Sequence, residues 1–321
     1  MIGLRRAARR ARRRSRAIRV TAAALALGLL AGAGAIAASP LGVLALQPVP
    51  PDQVIQLRAA HGASFVPALD GRRPIFILVL GSDARPGQVI TRQRADSIHI
   101  IGVNPARRQA TVLGFPRDSW VHIPGVGNSK INNALRYGGP PLMVRTIESL
   151  AGIHIDFYLL TSFGGLERMV EAIGGLVVDV PYAMNDPYSR AKFSPGVQRL
   201  KGWEALAFAR NRKDTPNGDF SRSLNQGRLF LSALAQLRSE FRKRPARLLT
   251  WLVAGWRRVQ TDLSFATLID LATTATNISP ADVRNLVVPG TSGFVGSASV
   301  VFLSPGASGL YANLRPDGVI D

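Results

Sequence analysis

Asp83, Arg94, Asp96, Arg117 and Asp118 all lie within the stretch from Ile75 to Asp118, each at the edge of an apolar run. Acids alternating with arginines in this way suit a metal ion and an anion held together, because carboxylates bind hard cations and guanidinium forks bind phosphate oxygens in pairs. Further groups of the same kind follow. Lys130 and Asn132 come after a glycine-rich turn, and Arg210 and Arg212 come at the close of an apolar helix pattern. Asp219, Arg222 and Gln226 are spaced by three and four residues, so a helix presents a carboxylate, a guanidinium and an amide on one face. Together they are what phosphoryl transfer needs, since that chemistry consists largely of positioning and charge neutralisation. Taken singly, each has a plainer reading: a surface ion pair at Arg94 and Asp96, a strand-end pair at Arg117 and Asp118, a solvated helix terminus at Arg210 and Arg212, or a loop cation at Lys130. Asp96 and Asp118 both remain open as the acceptor of a proton, because an acid committed to a metal is a poor base.

The elements that must hold these side chains are legible from periodicity. Ile75 to Leu80, Ser97 to Val103 and Ala110 to Phe115 are short runs rich in β-branched residues, as in a sheet covered on both faces. Helical patterns are expected at Lys130 to Arg136, Pro141 to Leu150, Phe163 to Ile173, Gly202 to Ala209 and from Asp219 to about Phe241. Others follow at Ala246 to Val259, Phe265 to Asn277 and Gly306 to Leu314. Strands are expected at Asp156 to Leu160, Leu176 to Val180, Asp282 to Val288 and Ser299 to Leu303, with a turn-rich excursion over Tyr182 to Leu200. Strands interleaved with helices indicate an α/β sandwich with a mostly parallel or mixed sheet. No internal repeat or second domain boundary is visible.

The 321 residues carry a net charge of +20, with 46% hydrophobic and 19% charged residues. Nine arginines precede the first acid, all before Val20, and Val20 to Ala38 is apolar without a charge. Such a segment just spans a hydrocarbon core, and the arginines form its cytoplasmic flank. The expected organisation is a basic cytoplasmic tail over 1–19, a transmembrane helix over 20–38, an extracytoplasmic linker over 39–73 and a catalytic domain over 74–321. A removed signal peptide is the second reading, since Ala35-Ile36-Ala37 has small residues at cleavage spacing. In the linker, prolines favour an extended spacer, with a short helix expected from Asp52 to His61. No cysteine occurs, which excludes disulfides, thiolate metal sites and a cysteine nucleophile. His61, His99, His122 and His154 show no ligand spacing, and Ser189 to Lys192 matches the S-x-x-K pattern without its partner motifs.

The blocks GSD at Gly81 to Asp83, RADS at Arg94 to Ser97, PRD at Pro116 to Asp118 and KINNA at Lys130 to Ala134 are followed by FARNR at Phe208 to Arg212 and GDFSRSLNQ at Gly218 to Gln226. In that order they resemble the LytR-CpsA-Psr family over roughly Arg73 to Leu314. The resemblance implies a three-layer α/β/α sandwich with a mixed central sheet behind a single membrane span. It implies transfer of a glycan phosphate from a polyprenyl-pyrophosphate-linked glycopolymer to a peptidoglycan hydroxyl or another wall sugar. By matching blocks, Asp83 and Asp96 would hold Mg²⁺, while Arg94, Arg117, Lys130, Arg210, Arg212, Arg222 and Gln226 would contact the pyrophosphate. Asp219 and Asn132 would orient them, and Asp96, Arg117 and Asp118 would carry the chemistry. Asn225 stands where relatives often have arginine or glutamine, and no further domain is expected after Asp321. Two other classes stay in view: a pyrophosphatase or non-catalytic lipid-phosphate binder, and a membrane-tethered regulator binding nucleic acid, which the expected outward topology disfavours.

Overall fold

The computed structural model describes residues 73–321. The expected tail, membrane span, short 52–61 helix and nearly all of the linker lie outside the described residues. Among the described residues no helix is long and apolar enough to cross a membrane.

A six-stranded mixed sheet forms the centre. Its strands are β1 (Ile75–Ser82), β2 (Ala95–Asn104), β3 (Gln109–Gly114), β6 (Phe157–Ser162), β11 (Gln260–Thr261) and β12 (Val283–Val287), in the order β11-β6-β1-β2-β3-β12. β1 runs antiparallel to β2 and parallel to β6, while β3 runs antiparallel to β2 and parallel to β12. The C-terminal ends of β1, β3, β6 and β12 and the start of β2 therefore share one edge. That edge is where an open α/β sheet exposes ligand-binding loops.

Alternation along β1 separates the two faces. Phe76, Leu78 and Leu80 pack with Ile98, Ile100 and Leu113 beneath α1 (Asn133–Ala151) and α7 (Gly306–Leu314). Ile75 and Ile77 point the other way and join Phe157, Leu263 and residues of α6 (Phe265–Thr276). A second core beside the sheet is built from α2 (Phe163–Ala172), α3 (Gly202–Arg210), α4 (Asp219–Lys243), α5 (Arg247–Trp256) and the paired strands β7 (Leu176–Val180) and β10 (Gly196–Leu200). The arrangement is the expected three-layer sandwich.

Three short hairpins were not expected as such: β4 (Trp120–Ile123) with β5 (Gly127–Lys130), β8 (Met184–Asp186) with β9 (Ala191–Phe193), and β13 (Gly290–Val295) with β14 (Ala298–Leu303), of which β14 alone was expected as a strand. The helix expected from Lys130 is corrected here. Lys130 ends β5, paired with Trp120, and α1 starts at Asn133. The expected break before Pro141 is present, because Gly139 adopts φ +64 and Pro140 cannot donate to the preceding turn.

α4 crosses close over β3 and β12. A Cβ at Gly114 would collide with Ser223 Oγ and His99 Nε2, so only glycine lets this helix settle on the strand. His99 is fully buried at that contact. Its Nε2 donates to the Ser223 carbonyl at 3.1 Å, its Nδ1 accepts from Ser97 Oγ at 3.1 Å, and Phe230 meets its ring edge-on. Those partners hold the neutral Nε2–H tautomer, and burial pulls its pKa down to about 4.

Candidate active site

The shared sheet edge gathers the charged blocks. β1 ends at Ser82, whose hydroxyl donates to the Ile90 carbonyl at 2.9 Å and accepts from the Ala84 amide at 3.2 Å. This closes the 83–94 loop, and the Asp83 amide bonds the Arg94 carbonyl at 3.0 Å. β2 then carries Asp96 to the edge. Residues 116–118 follow β3, and the Arg117 carbonyl accepts from the Asn132 amide at 3.2 Å while the Asn132 carbonyl accepts from Ala95 at 3.2 Å. Backbone bonds thus bring three sequence blocks into register before any side chain is considered.

Arg117 is the hub. Its Nη1 lies 2.5 Å from Asp96 Oδ1, its Nε 3.8 Å from Asp118 Oδ2, and its amide donates to Asp219 Oδ2 at 3.0 Å. Burial works to lower its pKa, but Asp96, Asp118 and Asp219 outweigh that and raise it. Asp118 also receives Lys130 Nζ at 3.1 Å and Arg212 Nη1 at 4.0 Å. From the start of α4, Asp219 Oδ1 pairs with Arg222 Nη2 at 2.5 Å. Arg222 is buried, and desolvation lowers its pKa against the pull of Asp219. A guanidinium nevertheless stays protonated in proteins, so the site keeps this fixed positive charge.

Two cavities meet at this hub. One, of about 440 Å³, is walled by apolar side chains of α2, α4 and α5, among them Leu166, Met169, Leu229, Ala233, Trp251 and Ala254. Asp96, Arg117, Arg210, Arg212, Arg222 and Gln226 stand in the same cavity wall. The other, of about 550 Å³, is bounded by Arg94, Asp118, Trp120, Lys130, Asn132 and the β14 residues Ala298 and Ser299. Arg117 and Arg212 belong to both. The expectation of one pooled set of pyrophosphate contacts is therefore refined: Arg210, Arg222 and Gln226 serve one cavity, Arg94 and Lys130 the other.

Individual residues also differ from expectation. Gln226 donates from Nε2 to the Asp96 and Ala209 carbonyls, at 3.2 and 3.1 Å, so its amide nitrogen braces β2 against α3. Arg210 lies 4.9 Å from the ring centroid of Phe163, at the cavity where α2 begins. Asn132, expected to orient neighbours, links strands through its backbone. Its side-chain Oδ1 is buried with no partner among the described residues. Asp219 does hold Arg222 and the Arg117 backbone.

Asp83 and Asp96 lie close enough to interact. Burial first, and then the Asp96 charge, raise the pKa of Asp83 against the opposing effect of Arg94 and Arg117. Asp83 Oδ1 is buried without a hydrogen-bond partner among the described residues. Among the described residues no cluster of three or more His, Cys, Asp or Glu side chains forms a closed metal site. A carboxylate pair with one uncommitted oxygen is a donor set that would suit a magnesium ion.

Sequence reasoning missed Trp120, Ser129, Asn133 and the pairing of the expected strand β14 with β13. The signal for Trp120 was present, an aromatic two residues beyond Asp118, but the hairpin is Gly- and Ser-rich with no strong alternation.

A family model described as the LytR_cpsA_psr family matches residues 53–308. The protein named polyisoprenyl-teichoic acid–peptidoglycan teichoic acid transferase TagU from Bacillus licheniformis is 34% identical over 159 residues, 49% of this chain and 50% of TagU. The protein of the same name from Bacillus mycoides is 36% identical over 156 residues, covering 48% and 49% respectively. The chain thus spans about half the length of the curated relatives it matches. Among solved structures, Bacillus subtilis TagV superposes with a TM-score of 0.63 at 27% identity, over 76% of this chain and 95% of TagV. Protein gbs0355 from Streptococcus agalactiae shares the fold with a TM-score of 0.69 at 21% identity, over 79% of this chain and 91% of that one. The blocks that converge on Arg117 lie inside the matched span, and by the extent of that match the chain belongs to the LytR-CpsA-Psr family.

Proposed function

We propose that this protein transfers a glycan phosphate from a polyprenyl-pyrophosphate-linked glycopolymer to a hydroxyl of peptidoglycan or another wall sugar. The observation that carries the reading is the junction of an apolar cavity with a cluster of arginines at its wall. An isoprenoid tail suits the first and a pyrophosphate the second. The names of the TagU relatives support it, since they describe transfer from a polyisoprenyl carrier to peptidoglycan. TagT, of the same fold at 23% identity and a TM-score of 0.64, has been solved bound to LI-WTA.

In this reading Arg117, Arg210, Arg212 and Arg222 neutralise the pyrophosphate, with Arg94 and Lys130 approaching from the other side and Gln226 holding the Asp96 backbone in place. Asp219 fixes Arg222. Asp83 and Asp96 would hold Mg²⁺, which when bound supplies charge neutralisation to the phosphate oxygens. Asp118 takes the proton, because it lines the polar cavity while Asp96 lines the apolar one and is paired with Arg117. The acceptor oxygen forms a bond to the phosphorus that bears the glycan, the bond from that phosphorus to the bridging oxygen breaks, and polyprenyl phosphate departs with the electron pair. The arginines and the apolar run of the N-terminal sequence support a domain outside the cytoplasmic membrane, on a single span with its N-terminus inside, where donor and acceptor would meet.

The test is transfer by the full chain in detergent with Mg²⁺, a polyprenyl-pyrophosphate oligosaccharide and peptidoglycan, read by mass spectrometry. Glycan joined to peptidoglycan through one phosphate, abolished in Arg117→Ala and Asp118→Asn, is the expected result. Donor cleaved by water alone would indicate a pyrophosphatase, and donor bound unchanged would leave a binding protein.

A further inference from the structure

We propose that the polar cavity beside Arg117 is a carbohydrate subsite that seats a pyranose ring of the acceptor polysaccharide, with the attacking hydroxyl turned toward Asp118. The proposal rests on the transferase reading above and adds the place and chemistry of acceptor recognition.

Geometry comes first. In phosphoryl transfer the attacking and leaving oxygens lie roughly in line across the phosphorus. The leaving group is the lipid phosphate, whose tail suits the apolar cavity, so the attacking oxygen must arrive from the opposite side of Arg117. The cavity that shares Arg117 and Arg212 with the apolar one is the polar cavity, and Asp118 belongs to it alone. Asp96 belongs only to the apolar one. The proton of the incoming hydroxyl then passes to the Asp118 carboxylate as the oxygen–phosphorus bond forms and polyprenyl phosphate leaves.

The lining has the chemistry of a sugar site. A pyranose presents a face of C–H groups and a rim of hydroxyls, and Trp120 offers an indole surface while Ser129, Asn132 and Asn133 offer donors and acceptors. Asn132 is the pointed observation. It is only 3% exposed, yet its Oδ1 has no partner among the described residues, an acceptor left for a donor such as a hydroxyl. An apolar ligand would leave that oxygen unpaired. A cavity of about 550 Å³ lies within the roughly 300–1,000 Å³ typical of ligand sites.

The β13–β14 hairpin extends the subsite outward. Ser299 lines the cavity and pairs directly across the ladder with Phe294, so both side chains leave the same face of the hairpin. Phe294 is 71% exposed and offers an aromatic face on which a second ring of a polymer can rest.

The experiment uses the full chain in detergent, with soluble uncrosslinked glycan strands as acceptor and an N-acetylglucosamine tetrasaccharide as a binding probe. Ser299→Trp adds bulk from an exposed strand position and leaves the core untouched. It is expected to raise the acceptor KM by about tenfold or more while the donor KM stays within about twofold, and to abolish saturation-transfer NMR signals from the tetrasaccharide. Phe294→Ala is expected to raise the acceptor KM about threefold for long strands and to spare short ones. A rise in donor KM instead would show that the cavity holds the donor's own glycan and would overturn the proposal, as would unchanged constants for both substrates. Tetrasaccharide binding lost in Ser299→Trp, in a wild-type protein that transfers nothing, would keep the sugar subsite and sink the transferase reading.

Discussion

The two cavities that meet at Arg117 are built by opposite means. The apolar one is formed by four helices, whose buried faces come from long-period patterns: Leu166 and Met169 on α2, Leu206 on α3, Leu229 and Ala233 on α4, Trp251 and Ala254 on α5. The polar one is formed by strand ends, a tight turn and two short hairpins, with Trp120 and Lys130 arriving from one hairpin and Ser299 from the other. Helices supply a continuous apolar wall cheaply, because one face of each repeats every three to four residues. Loops and hairpins supply isolated polar groups at fixed angles, since each is set by its own backbone hydrogen bonds. The contrast teaches that the greasy half of such a site belongs to the scaffold, while the selective half is appended to it.

The sharpest way to break this comparison is at the shared residue. Arg117→Ala removes the group common to both cavities and should lower the single-turnover transfer rate by roughly 10²–10³-fold. A variant that lost only donor affinity would show that Arg117 serves one cavity alone. Next in size is the support beneath the site. Because burial holds His99 at about 4 in the fold against 6.5 in the unfolded chain, its neutral form stabilises the protein above pH 6.5. Stability should fall as pH drops from 6.5 toward 4, by about 3 kcal/mol in all. Urea unfolding of wild type and His99→Gln between about pH 7 and pH 5 checks this, the variant losing the His99 share of the slope.

A smaller effect is expected from filling the apolar cavity. Ala254→Trp should raise the donor KM about tenfold and leave the acceptor KM unchanged, which would separate the two halves kinetically. Equal rises in both would mean that the cavities are not independent. Smallest is Lys192→Ala. Lys192 is exposed on β9, and Ser189 Oγ is buried and bonded to the Asp186 carbonyl at 3.3 Å. Transfer should be unchanged and stability altered by no more than about 0.5 kcal/mol, measured by the same assays.

Legibility followed the same division. β1, β2 and β3 were visible because buried strands are unbroken apolar runs, and α2, α3 and α4 because amphipathic helices are periodic over several turns. The break in α1 was visible because Gly139 and two prolines can do little else. The β4–β5 hairpin and the pairing of β13 with the expected strand at Ser299 to Leu303 were not, since β4 and β5 have only four residues each and β13 is mostly polar or glycine, too little for a period to show. Lys130 was assigned to a helix for that reason. Among site residues, Asp83, Asp96, Arg117, Asp118, Arg212 and Arg222 were all visible as charges. Which acid meets which base was not, because Asp96 and Arg117 are twenty-one positions apart and meet only through strand pairing.

By itself the sequence determined the chemical inventory and the frame: acids and arginines at strand ends, apolar periodicities sufficient for a three-layer sandwich, and six ordered blocks that mark the family. Those properties are local, written in residue type and spacing. Only the tertiary structure decided that Arg94 and Lys130 face one cavity while Arg210 and Arg222 face another, that Gln226 braces backbone, that Asn132 joins the site through its backbone, and that Trp120 belongs to it. Sidedness about a common hub is a long-range property. It depends on which strands pair and how closely α4 settles on Gly114, and no periodicity along the chain records it.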